Sequence, residues 1–461
     1  MTLQAKRIKH LYNRAGFGMN LKDFQKIQTL EQAIDHCFGA SKSVKHLQDT
    51  ALELPDRRRL ATMSREERKE MLRMNRNNIM VLNKCWIDHM AFTPAQLREK
   101  MTFFWHDHFA CKLRNPKVAH IQNTTLRNFA LDTFPNLLHA IAKDPGMLLF
   151  LNNQQNKKDH PNENFARELL ELFTLGRGHY TEKDVKEAAR AFTGWSVMPD
   201  GSFFFRRRQH DDGKKEFLGK RGNFGGEEII DIVLEQKQTA RFITEKIYRY
   251  LVHHIPDPEV LETWSDSFYE SGYNIASLLQ KIFKSDHFYA DKHIGSRIKS
   301  PVEYLVGMMR LLNVRFGAPE GPVYIQKILG QMLLFPPNVS GWPQQRAWID
   351  SSSMMARLSI PKMIFTAGAL DILPKAAFAG NEEMIKLQQL NEKLDVQIDW
   401  SELERYMNTI PPNEQYTRLK EYILSVPFLA EREQHVQRIS SHEDLVKVII
   451  HFVASPEFQL C

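Results

Sequence analysis

The sequence predicts a mainly α protein: one large helical domain that carries a small β-hairpin excursion. Three observations support this. Apolar residues recur at helical spacing through most of the chain, capping residues and glycines bracket those runs, and the only convincing strand signal lies at about residues 201–219. The 461 residues are 43% hydrophobic, 10% aromatic and 25% charged, a globular profile that argues against disorder or a fibrous repeat. A single core usually stops growing at about 250–300 residues, so the length calls for either one large lobe with excursions or two packed lobes. Mixed Pro, Gly and Ala between Asp371 and Glu383 mark the joint. The expected division is a main helical domain over 1–370 and a C-terminal helical lobe over 371–461.

The elements follow in order. From about Leu52 to Asn78 the chain is rich in Arg, Lys and Glu, with Ser64 and Glu67 at capping-box spacing, which reads as a surface helix. Thr93-Pro94 opens a second helix running to about Ala110. It puts Leu97, Met101, Phe104 and His108 on one stripe and turns apolar nearly all round from Phe103 to Phe109, as a buried end does. A third starts at the Pro161-Asn162-Glu163-Asn164 run, buries an arc including Phe165, Leu169 and Phe173, and stops at Gly176. Thr181 and Asp184 cap a fourth that reaches Trp195, predicted to lie antiparallel to the third. Ser202-Phe-Phe-Phe and Glu216-Phe-Leu flank an Asp-Asp-Gly turn and read as the hairpin. Helices resume near Thr239. The runs ending at Phe288 and Phe458 echo one another, each an apolar helix followed by Ser-x-x-Phe.

Several classes of function are disfavoured. The charge of +7, from 62 Lys+Arg and 55 Asp+Glu, is spread along the chain, whereas a nucleic-acid binder calls for a concentrated basic stripe. Residues 1–18 lack the apolar run of a signal peptide, and no uncharged stretch of about 18 residues exists to span a membrane. Four scattered cysteines give neither a disulfide framework nor a cysteine zinc site. The chain as given therefore reads as cytoplasmic. Zincin, P-loop, dinucleotide and hydrolase-elbow signatures are absent.

Histidines and carboxylates carry the chemistry. In Trp105-His106-Asp107-His108-Phe109, residues two apart on a helix point about 200° from each other, so His106 and His108 cannot share one ion while the helix stays regular. Each is a candidate metal ligand, and His108 equally reads as a core histidine bonded to a carbonyl. Asn164, Glu168 and Glu171 fall on one arc with Arg167 beside it, which suits a divalent ion, an acid/base pair or an ordinary wet face. His210 and Asp211 sit at the predicted turn, where a rigid hairpin would present them to a site. Arg206 to Arg208 read as a solvated strand face or an anion clamp. Trp342, ending Pro336-Pro-Asn-Val-Ser-Gly-Trp342, anchors a helix connection or lines a pocket.

These pieces jointly resemble the large bacterial family known as domain of unknown function 1800. The resemblance rests on Arg14-Ala-Gly-Phe-Gly18, Phe104-Trp-His-Asp-His-Phe109, Pro161 through Gly176, Tyr180 through Trp195, His210-Asp with Phe217-Leu-Gly219, Lys299-Ser-Pro-Val-Glu303, Pro336 through Trp342 and Ser455-Pro-Glu-Phe458. It implies a polar site but no established reaction. It also implies export of many relatives, often by a twin-arginine route that this chain shows no leader for, and a partner from the family domain of unknown function 1501. Many relatives carry His where this chain has Phe173.

Two expectations remain open at this point. One is a metal-dependent enzyme, hydrolytic ahead of redox, with a divalent zinc, manganese or iron ion held by His106, His108 and His210 and catalysis by Glu168, Glu171 and Asp211. Asn164, Arg167 and Trp342 would bind substrate. The other is a non-catalytic scaffold or binding protein for a partner protein or a cell-surface polymer.

Overall fold

The computed structural model describes residues 2–48, 62–365, 394–440 and 445–461. Its helices are set by the caps in the sequence, and the fold is 63% helical, with 21 α-helices and three two-stranded antiparallel sheets among the described residues. No helix among them is long and apolar enough to cross a membrane.

Ser64 and Glu67 form the expected capping box, and the helix they open is Arg65–Phe92. Its first half is exposed as predicted. Beyond about residue 78 the same helix enters the core with Ile79, Leu82, Trp86, Ile87 and Met90. Residues 52–61 of the expected surface helix lie outside the described residues, as do Asp371–Glu383 and with them the expected lobe boundary.

The next helix is Gln96–His108, two residues later than the Thr-Pro signal places it. Thr93 instead ends the preceding helix, its N–H donating to the His89 carbonyl at 3.0 Å. The Gln96 amide then stitches the corner by donating to the Met90 and Thr93 carbonyls, each at 2.8 Å. Every residue of Gln96–His108 except Asp107 is buried.

The helix beginning at Asn164 changes pitch. Asn164–Glu168 is α-helical and Leu169–Thr174 is a π-helical turn, after which the N–H groups of Leu175 and Gly176 both donate to the Leu170 carbonyl at 3.0 Å. Such turns are rare inside α-helices and occur frequently at functional sites. Glu182–Ala191, capped by the predicted Thr181–Asp184 box, packs beside it.

The excursion near residue 201 is present with different pairing. Trp195–Val197 (β1) pairs with Phe203–Phe205 (β2), and Lys215–Phe217 (β3) pairs with Lys220–Gly222 (β4), so the Phe-rich run and the Glu-Phe-Leu run are not partners. Turn chemistry decides this. Leu218 and Gly219 both take positive φ, 45° and 79°, and close β3 onto β4 at once. The Asp-Asp-Gly turn is instead held by Asp211, which accepts from the Gly213 N–H and from Arg190 at 2.8 Å. Arg207 and Arg208 lie in a short helical turn, with Arg207 paired to Asp212 at 2.7 Å, which corrects the strand-face reading.

A third sheet joins Val314–Phe316 (β5) to Val396–Ile398 (β6), tying the last part of the chain to the main body. One hydrophobic cluster runs from Ile8 to Phe458 and includes Ile449 and Phe452 of the C-terminal helix Leu445–Val453. The sequence echo has a structural counterpart. Ser285 and Ser455 each accept a hydrogen bond from the backbone of the short turn that follows, and Phe288 and Phe458 are buried.

Charge also enters this core. Glu303, in the first turn of Pro301–Leu312, is buried and receives Arg297 through both oxygens at 2.9 and 2.8 Å, the Ser300 N–H at 2.8 Å, and the Lys100 ammonium. Removing one partner of a buried pair strands the others, at a typical cost of about 3–5 kcal/mol. Glu303→Gln is therefore expected to lower unfolding free energy by that order in urea, while Glu163→Gln, in a half-exposed pair with Arg167, changes it by less than about 1 kcal/mol. Equal losses in the two variants would show that the buried network does not carry this weight.

Candidate functional site

The two histidines of the Trp-His-Asp-His run leave the helix on different sides, as their spacing requires. The His106 ring lies between Trp86 and Trp342, at centroid distances of 5.0 and 5.4 Å, and its Nε2 accepts the Leu334 N–H at 3.1 Å. Desolvation lowers its pKa to about 3, so it is neutral. His108 donates from Nε2 to the Phe173 carbonyl at 3.1 Å, while its Nδ1 accepts from the Lys246 ammonium at 3.3 Å. Burial, and then the Lys246 charge, hold its pKa well below the usual histidine range. Lys246 also donates to the Leu172 carbonyl at 2.9 Å. His108 and Lys246 thus cap two carbonyls that the π-helical end leaves without helical partners. Phe173 packs its ring 6.0 Å from that of His108 and 5.2 Å from that of Phe109.

The remaining expected residues lie elsewhere. Glu171 accepts from Arg177 at 2.6 Å and from the Tyr180 hydroxyl at 2.9 Å, and those bonds, the Arg177 one foremost, lower its pKa. Glu168 is partly buried, and desolvation followed by the Glu171 charge raises its pKa. Arg167 spans Glu163 and Glu182 at 2.9 and 2.8 Å, and Asn164 is exposed at the helix start. Asp211 is clamped by Arg190, which lowers its pKa. His210 donates from Nδ1 to the Thr193 carbonyl at 2.9 Å and lines a separate surface groove. Among the described residues no group of three or more His, Cys, Asp or Glu side chains is placed to hold a metal ion. The donor set in this arrangement does not fit a resident metal at His106 and His108, because the groups described above already engage the His106 Nε2 and both His108 ring nitrogens.

Asp107, the residue between the two histidines, reaches the interior cleft. Its Oδ1 accepts the Trp342 N–H at 2.9 Å, and its Oδ2 lies 3.4 Å from the Gln344 amide nitrogen that donates to it. This approach depends on Gly341, whose φ is +85° and whose Cβ, if present, would stand 2.2 Å from Asp107 Oδ1. The Pro336–Trp342 loop can therefore close on the helix end only through a glycine at that position. Desolvation raises the Asp107 carboxyl to about 6, with Trp342 and Lys246 opposing the shift. Lys246 is lowered to about 8, again by desolvation.

The cleft beside Asp107 is walled by Tyr250, Arg297, Ser300, Gln331 and Gln344, and at about 20 Å³ it has room for roughly one water. Two buried polar atoms in its wall, Arg297 Nη1 and the Tyr250 hydroxyl, have no hydrogen-bond partner. Buried polar groups ordinarily find partners, and exceptions concentrate where a ligand or water completes them. Three of the sequence motifs meet here: Asp107, the segment leading into Lys299–Glu303, and the loop ending at Trp342.

Sequence reasoning passed over Asp107, Lys246, Tyr250 and Arg297. Asp107 was legible in principle, since a carboxylate between two apolar-flanked histidines has no solvated face to occupy. Lys246 and Tyr250 share one face of Lys237–Leu251, where a lysine among Ile243, Ile247 and Tyr250 is the available signal. Comparisons with curated proteins and with solved structures find no match. The family model described as "Protein of unknown function (DUF1800)" matches residues 10–460, and the chain belongs to that family.

Proposed function

We propose that the chain is an acid–base enzyme, hydrolytic ahead of redox, in which Asp107 acts on a water held in the cleft beside Arg297. One observation carries the reading: a carboxyl raised to about 6 shares a cleft with a guanidinium nitrogen and a phenol that are buried without partners. A general acid or base works best with a pKa near the working pH. Asp107 and Lys246, moved toward neutrality from opposite sides by burial, form such a pair. Arg297 and the Tyr250 hydroxyl would hold the one water that the cleft has room for, beside the Asp107 carboxyl. The scaffold reading has its own support, because His106 and His108 both bond to backbone groups rather than facing the cleft.

Hydrolysis of 4-nitrophenyl acetate and 4-nitrophenyl phosphate, followed across pH, separates the two. The enzyme reading expects a rate that changes through about pH 6 and falls by about 10²–10⁴ in Asp107→Asn. No turnover, or turnover unchanged in that variant, favours the scaffold.

Stability gives a second test. The folded carboxyl at about 6 lies above its ordinary 3.8, so the folded state binds that proton more tightly. The associated stability is present below about pH 4 and is lost as pH rises through about 6, by at most about 3 kcal/mol. Asp107→Asn should flatten urea stability over that window. An unchanged slope would place the carboxyl in water.

The histidine network makes a third. Untagged protein dialysed against chelator should keep its melting temperature, whereas His108→Ala, which strands Lys246 and the Phe173 carbonyl, should cost about 1–3 kcal/mol. Near-stoichiometric metal that disappears in a His108→Ala, Glu168→Ala double variant would restore the metal-site reading.

A further inference from the structure

Outside the Asp107 cleft, a groove of about 330 Å³ lies beside the β1–β2 hairpin, at the low end of ligand-sized pockets. We propose that it is a binding site for a neutral saccharide unit, a role separate from the chemistry at Asp107.

The aromatic wall follows from the strand register. Phe203 and Phe205 lie two apart on β2 and share a side, and Trp195 on β1 stands opposite Phe205. All three line the groove, while Phe204, on the other side of the strand, is 45% exposed. The rings of Trp195 and Phe203 meet at 80° and those of Phe205 and His210 at 70°, and the Lys143 ammonium lies 5.9 and 5.5 Å from the Trp195 and Phe203 centroids, so the wall offers tilted ring edges, Phe205 the most exposed of them, rather than a parallel slot for a flat base.

The charges point to an uncharged ligand. Lys143 is paired with Glu227, Arg207 is paired with Asp212 at 2.7 Å, and Glu228 accepts the Gly225 N–H at the start of Gly226–Leu234. Two cations and three carboxylates therefore line the groove, each already engaged, and the balance of one negative charge disfavours an anion. These paired groups and Asn223 form a rim of hydrogen-bonding positions around the aromatic patches. Amphipathic rings with hydroxyls at their edges match that lining, and a nucleotide phosphate would meet the three carboxylates.

His210 supplies the independent observation. It is 7% exposed, and its Nδ1–H is fixed on the Thr193 carbonyl. That bond occupies Nδ1 and leaves the other ring nitrogen, Nε2, for a partner on a side chain that lines the groove. A sugar hydroxyl, which can both donate and accept, can bond to that nitrogen.

Fluorescence titration of the full chain with cellotriose, maltotriose, laminaritriose and chitotriose tests the proposal, because Trp195 lies in the groove. At least one trisaccharide should give a saturable change with Kd below about 1 mM. Phe205→Ala and His210→Gln should each weaken it by about tenfold or more. Phe205 is 36% exposed, so truncating it costs less stability than truncating a buried ring. Asp107→Asn should bind the sugar unchanged, which separates this site from the proposed active site. No saturation with any of the four up to about 10 mM overturns the proposal, as does adenosine binding more tightly than every sugar.

Discussion

The buried carboxylate of Glu303 is the constraint on which the rest of the arrangement depends. It gathers Lys100 from Gln96–His108, Arg297 from the preceding segment, and the Ser300 N–H that starts its own helix. Two cations and a helix start can share a dry interior only around a common anion, and they lower its pKa far below the carboxylate range against the opposing effect of burial. That one group fixes the helix bearing Asp107 relative to the segment bearing Arg297. The same segment pairs its backbone with the end of the chain, Cys461 N–H donating to the Arg297 carbonyl at 2.9 Å and Lys299 N–H to the Gln459 carbonyl at 2.8 Å. Distant parts of the sequence therefore meet at the cleft through one ionic centre.

The geometry of that centre explains why Arg297 has a free nitrogen. Its Nη2 serves both oxygens of Glu303, its guanidinium lies 4.6 Å from the Tyr250 ring centroid, and Nη1 is left without a partner. A guanidinium can be anchored on one edge and still offer the other, which a lysine cannot do in the same planar way. The orphaned nitrogen is thus held in position by the ionic network.

The fold was legible in its caps and periodicity, because those signals are local. Ser64 with Glu67, Thr181 with Asp184, and Gly176 with its positive φ act over a single turn, and the structure uses each of them. The β pairing was read wrongly for the same reason in reverse. Asp-Asp-Gly looks like a tight turn locally, but Arg190 from another helix takes Asp211, and the short Leu218-Gly219 turn closes first. The candidate site was legible only as a set of motifs. The 100°-per-residue arc for Glu168 and Glu171 assumed an α-helix, and the backbone from Leu169 is π-helical. Which residue of Trp-His-Asp-His faces the cleft depends on Leu334, Phe173 and Lys246, none of which is near it in sequence.

That dependence gives the two histidines a physical role even without a metal. Both are neutral because burial removes the charged form, so within the last turn of Gln96–His108 only Asp107 is placed to change charge near neutral pH. A helix C-terminus carries partial negative charge, which further disfavours a carboxylate there. His106 fastens the left-handed Leu334, φ 70°, at the root of the loop that covers Asp107, and His108 fastens the π-helical end on the opposite side. An ionised histidine at either place would put a positive charge beside Asp107 and pull its carboxyl back toward the ordinary range. Neutral imidazoles brace the helix end from two sides and leave its one carboxyl desolvated, which is the condition an acid–base group near pH 6 requires.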